Sequence, residues 1–443
     1  MVFSETVVPY PWKVVKELIL QLSDRSIYYH ISITIIRTIF GFILAFVIGF
    51  AIGIITGSYK SIEKSFFLPV VILQGAPPII WIIPLMLILG TEGWSPVAVV
   101  YLVTLPLVII NVQEGMKSIP DTMWDMFKIY ANDKKLTLRY LVFPSLIPYI
   151  KSILLLGSVL AFKSSIIGEW FGAKNGIGRI INEYFYTFNM LSFYSASLLF
   201  LLLVGTVAFG IKTIVKYTKT KKNSVITYNT HFHKKEFFHP PKNTHIKIEE
   251  LCFRYKKRNI LDHLNFEIKS FETIVITGDS GCGKTTLAKL ITGLLKPSSG
   301  SITKSQNPCI IFQEDTLIPT MDCFANTILP GKWKKTPELD HIGIFFLDKC
   351  GLKKYVNYFP DQLSGGMKKR LTLARALVLN PDFIILDEPF TNLDHTSRHE
   401  LWQLFFELFA NRGIPSIIIT HYPEELANRD IQYYELKHGK LWK

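Results

Sequence analysis

A glycine-rich loop in the second half of the chain has the residue types and spacing of a phosphate-binding loop. Gly278, Gly281 and Gly283 are followed by Lys284 and by two threonines, Thr285 and Thr286. The strand-like run "ETIVIT" precedes this loop and the helix-compatible run "TLAKLITGLL" follows it, which is the context that a P-loop needs. Glycines let backbone N–H groups turn inward around phosphate oxygens, and the lysine can reach the β- and γ-phosphates. The first threonine hydroxyl suits Mg²⁺, so the loop predicts a nucleoside triphosphate site; a turn with a chance lysine is the alternative.

Two adjacent carboxylates follow a second strand-like run, "DFIIL", further along the chain. Asp387, at the end of the strand, suits a Mg²⁺ ion, and Glu388 suits a general base that polarises the attacking water. Two acidic residues after an apolar strand can also be an exposed turn. Together with the P-loop, they favour a P-loop NTPase.

The segment "LSGGMKKRLTLARAL", which precedes the acidic strand, narrows this interpretation. With Ser364, Gly365 and Gly366, it resembles the signature motif of ABC transporter ATPase subunits. Met367 stands where Gln is more common, as in importers of the nitrate/sulfonate/taurine group. A small Ser-Gly-Gly at a helix start can present N–H groups and a hydroxyl to a phosphate. The resemblance implies that this phosphate belongs to ATP held by the opposite subunit.

The other ABC motifs follow in the expected order, and the resemblance covers residues 244–443. Gln313 in "IIFQEDTLIP" resembles the Q-loop glutamine that touches Mg²⁺, and Asp394 in "TNLD" resembles the D-loop aspartate. His421 in "IIITHYPEEL" resembles the switch histidine that contacts the γ-phosphate. Tyr255 is placed like the aromatic residue that stacks on adenine, although an aromatic beside a strand is often a packing residue. The resemblance implies ATP and Mg²⁺ as cofactors.

The first half of the chain is apolar enough to lie in a membrane. Residues 38–57, 65–91, 93–113 and 184–211 contain no charged side chain, and residues 141–168 contain only Lys151, Lys163 and no acid. Each run has the roughly 20 residues that a helix needs to cross the hydrocarbon core. We therefore expect about five transmembrane helices.

The net charge of +14 is concentrated beside the last apolar run, with about half of it in residues 216–247. Basic residues at this place mark the cytosolic side of a membrane and meet anionic lipid head groups, whereas a nucleic-acid site would more commonly be a basic face of a folded domain. No Cys or acidic partner completes a ligand set for the four histidines of this segment, which favours a solvated linker over a metal site. All five cysteines lie in the second half without a CxxC pair, which is typical of a reduced cytosolic domain.

The polar segment "IPDTMWDMFKIYANDKKLTLRYLVFPSLIP" separates the third and fourth apolar runs. It resembles a degenerate EAA loop of ABC importer permeases, with Asp125-Met126-Phe127 in place of Glu-Ala-Ala. This resemblance predicts a cytosolic coupling helix at about residues 121–132, packed in a groove near residues 313–319. Residues 5–215 as a whole resemble a permease of the nitrate/sulfonate/taurine group.

Lys163 is an ionisable residue inside the fourth apolar run. Such a residue is costly in lipid and usually faces a cavity or a partner. Three interpretations are open: the side chain extends to the membrane interface, it pairs with Glu169, or it lines the transport pathway with Ser164 and Ser165 and attracts an anion.

The sequence thus predicts an α-helical membrane domain of the type I ABC importer fold at residues 1–215 and a basic cytosolic linker at 216–244. An α/β P-loop ABC ATPase domain with a helical subdomain follows at 245–443. We expect a multi-pass protein of the bacterial cytoplasmic membrane, with the ATPase domain in the cytosol.

The resemblance implies two protein partners. One is a second copy of the chain, because each ATP site needs a P-loop and a signature from different copies of a homodimer. The other is an extracytoplasmic substrate-binding protein. We expect membrane lipid, and no nucleic acid, as a further partner. The predicted function is ATP-driven import of a small solute, such as a sulfonate, nitrate, taurine or a vitamin precursor. The alternative is a membrane-tethered ABC ATPase that moves a lipid or a partner protein.

Overall fold

The computed structural model describes residues 7–443 except 92, 132, 218–244, 257, 334, 335, 337, 428 and 430. The chain forms two compact units. Of the described residues, those within 1–119 and 145–221 form the helical unit, and those within 120–144 and 222–443 form the sheet unit. The segment 120–144 therefore lies between helices of the helical unit in sequence but packs with the C-terminal residues. The predicted basic linker at 216–244 lies almost wholly outside the described residues.

Helices account for nearly all of the described N-terminal half. They are α1 (Pro11–Ser23), α2 (Arg25–Ser58), α3 (Lys60–Gly75), α4 (Pro78–Leu89), α5 (Trp94–Lys117), α6 (Asp121–Tyr130), α7 (Lys134–Thr137), α8 (Phe143–Ser152), α9 (Ser158–Gly172), α10 (Ile177–Tyr186) and α11 (Met190–Tyr217). Two π-helical turns, Leu138–Val142 and Ile153–Gly157, join α7, α8 and α9 into one long helix.

Four of these helical segments are long and apolar enough to cross a membrane: Arg25–Ser58, Trp94–Lys117, Lys134–Gly172 and Met190–Val215. A fifth candidate is the pair α3 and α4, which together are apolar enough but bend by 95° at their junction. The bend falls at Pro77 and Pro78, where proline cannot continue the helical hydrogen bonds. The described residues thus contain four candidate transmembrane helices, or five if the bent pair is one broken span, against the expectation of about five.

Helices α2 and α5 pack closely through small residues. A β-carbon added at Gly53 would lie 2.6 Å from Val112 Cβ, and one at Gly57 would lie 2.5 Å from Met116 Cβ. Membrane helices associate through such close backbone approach because lipid offers no hydrophobic drive between them. An alanine at either position would therefore push α2 away from α5.

Glu169 on α9 is fully buried and is held by groups distant in sequence. Its carboxylate lies 3.2 Å from Arg37 Nη1 and accepts hydrogen bonds from the Thr34 hydroxyl at 2.9 Å and the Gly178 amide at 3.0 Å. A buried carboxylate needs such partners because it loses its hydration. The predicted alternative in which Lys163 pairs with Glu169 is wrong, since Glu169 takes its positive charge from Arg37.

The sheet unit is built on two β-sheets. Its strands are β1 (His245–Tyr255), β2 (Arg258–Lys269), β3 (Thr273–Thr277), β4 (Ser299–Lys304), β5 (Pro308–Ile311), β6 (Phe383–Asp387), β7 (Ser416–Ile419), β8 (Gln432–Lys437) and β9 (Lys440–Trp442). The larger sheet has the order β5-β6-β7-β3-β8-β9, parallel except for β9, and the smaller antiparallel sheet has the order β2-β1-β4.

The remaining helices of this unit are α12 (Lys284–Thr292), α13 (Cys323–Trp333), α14 (Leu339–Lys349), α15 (Gly365–Val378) and α16 (His395–Leu408). Every residue of β6 and β7 is buried, which explains why both strands are apolar except for Asp387 at the end of β6 and Ser416 at the start of β7. Helices α13, α14 and α15 pack on one another between β5 and β6 in sequence. The predicted α/β fold with a helical subdomain is therefore confirmed.

Candidate functional site

Four of the motifs predicted to bind nucleotide lie at one edge of the larger sheet. The parallel strands β5, β6, β7 and β3 are neighbours in this order, and their carboxyl ends point the same way. Gln313 follows β5, Asp387 ends β6, His421 follows β7 and Gly278 follows β3. Ligands of open parallel sheets bind outside the carboxyl ends of the strands. The topology thus brings together motifs that are up to 143 positions apart in sequence, Gly278 and His421 being the extremes.

The P-loop connects β3 to α12 through a left-handed backbone. Gly278, Gly281 and Gly283 have φ angles of +143°, +79° and +115°, which side-chain-bearing residues rarely adopt. Lys284, the first residue of α12, is buried, and its Nζ donates to the carbonyls of Gly278 at 2.6 Å and Asp279 at 3.0 Å. The loop therefore encircles the ammonium group, which is the arrangement that a phosphate cradle requires.

Thr285 and Asp387 form a donor pair that fits a hard divalent cation. The Thr285 hydroxyl lies close enough to the Asp387 carboxyl to lower its pKa. Burial raises the pKa of Asp387, the charge of Glu388 raises it further, and Thr285 and Lys284 act in the opposite direction. A cation bound here would favour the ionised carboxylate in the same way. The oxygen ligands suit Mg²⁺, and Gln313 lies on the neighbouring strand end, with an exposed side chain.

Glu388 and His421 face each other across the ends of β6 and β7. Glu388 Oε1 lies 2.9 Å from His421 Nε2, and the glutamate side chain is 18% exposed. Glu388 has a φ of +48°, and its amide donates to the carbonyl of Ile419 at 2.9 Å. A positive φ is strained for glutamate, so the surrounding structure must hold this backbone in place. Such strain is common at functional sites. The pair can orient a water molecule and polarise it.

Ser364 and Asp394 both cap helices. The Ser364 hydroxyl accepts from the Met367 amide at 3.3 Å at the start of α15, and the Asp394 carboxylate accepts from the Ser397 amide at 2.9 Å at the start of α16. Ser364 and Gly365 are exposed, and a β-carbon at Gly366 would meet no atom within 4 Å. The N-terminus of α15 is therefore open to a ligand or to another molecule.

Helix α15 is also tied to the segment after β5. The buried Lys369 donates to the carbonyl of Gln313 at 2.6 Å and lies 3.0 Å from Asp315. Arg375, also buried, donates to the carbonyl of Thr316 at 2.6 Å. Neither residue is predicted from the sequence, because a basic residue on a helix near a signature motif is typical of a solvated charge. The structure makes them the link between the signature helix and the Gln313 segment.

Tyr255 ends β1 and is 49% exposed, with its ring edge-to-face against Phe253 at 4.8 Å. The β1–β2 hairpin lies close to the P-loop, since a β-carbon at Gly283 would lie 2.9 Å from Ile260 Cγ2 on β2. The ring is exposed on a hairpin whose Ile260 approaches the phosphate loop, so the stacking role of Tyr255 stays a prediction.

Helix α6 packs directly against the nucleotide-binding elements of its unit. Asp125 Oδ2 lies 2.8 Å from Nζ of Lys289 on α12, the helix that begins with Lys284. The Thr122 hydroxyl donates to the carboxylate of Glu314, the residue after Gln313, at 2.9 Å. The helix predicted at about residues 121–132 is present and ends at Tyr130, and its coupling role stays a prediction. Its contacts extend beyond the predicted groove to α12 and to Trp333, whose ring lies 4.9 Å from that of Phe127.

Comparisons with known proteins match both halves of the chain. A sequence profile described as "ABC transporter" matches residues 261–391, and one described as "Binding-protein-dependent transport system inner membrane component" matches residues 49–217. The chain is 33% identical over 192 residues to the taurine import ATP-binding protein TauB of Yersinia pseudotuberculosis serotype I, covering 41% of this chain and 74% of that protein. It is 32% identical over 197 residues to the aliphatic sulfonates import ATP-binding protein SsuB 2 of Paraburkholderia xenovorans, covering 44% and 78%. It is also 31% identical over 196 residues to the lipoprotein-releasing system ATP-binding protein LolD of Hydrogenovibrio crunogenus, covering 40% and 85%.

Proposed function

This chain belongs to the ABC transporter family, with a permease part and an ATP-binding part in one polypeptide, and we propose that two copies of it import a small solute delivered by an external substrate-binding protein. The protein is an ATP hydrolase coupled to transport. It is a multi-pass protein of the inner membrane, and its ATPase part lies in the cytosol.

The observation that carries this proposal is the position of α6. The helix lies between two candidate membrane spans in sequence, yet its Asp125 contacts the P-loop helix through Lys289 and its Thr122 contacts Glu314 beside Gln313. A shift of either nucleotide-binding element therefore reaches α6 through direct contacts. Such a link is what a transporter needs if ATP binding and hydrolysis are to change the access of its membrane part.

We assign the ATP sites to a homodimer. The exposed N-terminus of α15, with Ser364, Gly365 and Gly366, can present N–H groups to a phosphate of ATP held by the P-loop of a second copy. Two identical chains related by a two-fold axis would then form two equal sites. Asp394, at the N-terminus of α16, would lie at the same interface.

Within each site, the side chains have separate roles. Lys284 would leave the carbonyls of Gly278 and Asp279 to bind the β- and γ-phosphates, and Tyr255 would stack on the adenine. Glu388 would accept a proton from the attacking water, while His421 holds the carboxylate and reaches the γ-phosphate. Thr285, Asp387 and Gln313 would hold Mg²⁺, which supplies charge neutralisation of the phosphates.

The choice of import over other kinds of transport rests on the permease part. The profile that matches residues 49–217 describes binding-protein-dependent transport, which supports an external binding protein as partner. The ATP-binding part does not choose the solute, because relatives of nearly equal identity are named for taurine, sulfonates and lipoproteins. Two of these three relatives are named as import proteins, for taurine and for aliphatic sulfonates, and a solute of that class is the one that we propose.

Transport in proteoliposomes tests this function. The full chain is reconstituted with ATP and Mg²⁺ trapped inside and with a ligand-loaded binding protein from the same organism outside. We expect the binding protein to stimulate ATP hydrolysis and its ligand to accumulate inside, and we expect neither effect with Glu388→Gln.

Hydrolysis that no binding protein stimulates, but that a lipid or a lipoprotein does, would contradict import. That result would favour the tethered ATPase that moves a lipid or a partner protein.

A further inference from the structure

A cavity of about 390 Å³ lies in the helical unit, beside the broken span formed by α3 and α4. Its wall includes Gln74 and Pro78 from the two sides of the break, Pro106 from α5, and Lys163 and Ser164 from α9. The rest of its lining is apolar, and none of its lining residues is acidic. Small-molecule sites commonly have volumes of about 300–1,000 Å³ and the same pattern of an apolar wall with few polar groups.

Lys163 is the charged residue of this wall. It lies on the long apolar helix Lys134–Gly172, where an ionisable side chain is costly unless it faces a cavity or a partner. Glu169, the nearest acid along the helix, is fully buried and is held by Arg37, Thr34 and Gly178. Among the residues that the structure describes, no ion pair includes Lys163. Its charge is therefore available to the contents of the cavity.

Two further features make the cavity favourable for a negative charge. Helix α4 begins at Pro78 in the cavity wall, and a helix N-terminus carries a partial positive charge. Lys163 is exposed, and the apolar wall beside it lowers the dielectric on one side, so the attraction between the ammonium group and an anion is stronger than in bulk water. The Ser164 hydroxyl donates to the carbonyl of Leu160 at 2.7 Å, and its oxygen can still accept a hydrogen bond.

We propose that this cavity binds the anionic group of the transported solute, with Lys163 as its counter-ion. This inference rests on the proposed import function and specifies it: the solute carries a sulfonate, carboxylate or similar small anionic group. An anionic lipid head group has the same chemistry and is the competing source of the charge.

Binding to the purified full chain in detergent tests the site, with three probes: ethanesulfonate, propionate and nitrate. We expect saturable binding of at least one probe by calorimetry, and no binding of neutral ethanesulfonamide. Lys163→Gln should weaken this binding about tenfold or more, because a charged hydrogen-bonding partner is lost. Lys163→Arg keeps the charge and should bind within a few-fold of the unchanged protein. Lys151→Gln removes a lysine from the same long helix that is not among the lining residues, and should leave binding unchanged.

Three results would overturn the proposal: no binding of any probe, equal binding by Lys163→Gln, or equal binding of ethanesulfonamide. The lipid source is tested in vesicles of phosphatidylcholine with and without phosphatidylglycerol. If phosphatidylglycerol abolishes probe binding to the unchanged protein, to Lys163→Arg and to Lys151→Gln alike, or if Lys163→Gln changes only the dependence on this lipid, the ligand is a head group and the solute assignment is wrong.

This test is separate from that of import. Uptake that depends on ATP and a binding protein but is unaffected in Lys163→Gln would support import and contradict the anion site. If Lys163→Gln loses probe binding but the unchanged chain shows no uptake with any binding protein, the anion site is supported and import is contradicted.

Discussion

The hydroxyl of Tyr130, the last residue of α6, makes two hydrogen bonds to the backbone of Ile310. It accepts from the Ile310 amide at 3.0 Å and donates to the Ile310 carbonyl at 2.9 Å. β5 is an edge strand, and these two groups would otherwise be unpaired on its open side. Burial raises the pKa of the Tyr130 phenol well above its ordinary value, so the neutral hydroxyl both donates and accepts. α6 is thus attached to the strand that leads to Gln313.

We expect Tyr130→Phe to loosen this attachment while keeping the aromatic packing. The Ile310 amide and carbonyl would each lose a partner, at about 1–3 kcal/mol for a buried group left unsatisfied. Hydrogen–deuterium exchange should become at least about tenfold faster at the Ile310 amide, and solute uptake per ATP hydrolysed should fall. Tyr140→Phe removes a different hydroxyl of the same unit and serves as the control. Unchanged exchange at Ile310 would show that this hydroxyl does not hold the strand.

The contact between Asp125 and Lys289 gives a second test of coupling. The two atoms lie 2.8 Å apart, and the side chains are only 12% and 26% exposed, so solvent screens the pair incompletely. Asp125→Lys and Lys289→Asp should each place like charges together and lower uptake per ATP. The double exchange restores opposite charges and should recover most of the loss. If the two single effects simply add in the double variant, the contact does not transmit the motion.

The local patterns were sufficient to predict the nucleotide site but not its links to α6. The P-loop and the Asp387-Glu388 pair each follow a short apolar strand, and parallel strands align their carboxyl ends, so the sequence alone places these residues together. The contacts of Tyr130 with Ile310 and of Asp125 with Lys289 join residues 180 and 164 positions apart, and no periodicity marks them.

The pairing considered for Lys163 failed for a geometric reason. Residues six positions apart on an α-helix differ by about 120° around its axis, so Lys163 and Glu169 face different sides. The partner that Glu169 takes instead, Arg37, is on α2. The pairing of Glu169 with Arg37 depends on the packing of α2 against α9, and neither segment's sequence predicts that packing alone.

The role of Glu388 predicts a specific defect. Glu388→Gln preserves the shape of the side chain but cannot accept a proton from water, so ATP should still bind while turnover falls by about a hundredfold or more. Nucleotide binding by fluorescence and phosphate release measure the two properties separately. Glu400→Gln, which alters a surface pair with Arg370, should leave both unchanged. Near-normal turnover in Glu388→Gln would show that Glu388 is not the general base.

The composite ATP site can be tested by complementation between two inactive chains. Lys284→Ala destroys the P-loop, and Ser364→Arg blocks the N-terminus of α15, so each variant alone should be nearly inactive. In a mixed dimer, one site combines both defects, whereas the other combines the intact P-loop of one chain with the intact signature of its partner. Since about half of randomly assembled dimers are mixed and each has one intact site of two, co-expression should recover up to about a quarter of the normal hydrolysis.

Mixtures of the separately purified variants that cannot exchange chains are the control. If the co-expressed chains are no more active than this control, either each chain holds its own complete site or a single intact site cannot turn over. Trapping of ATP by the mixed dimer then separates these two outcomes, because one intact composite site still binds one nucleotide for each pair of chains.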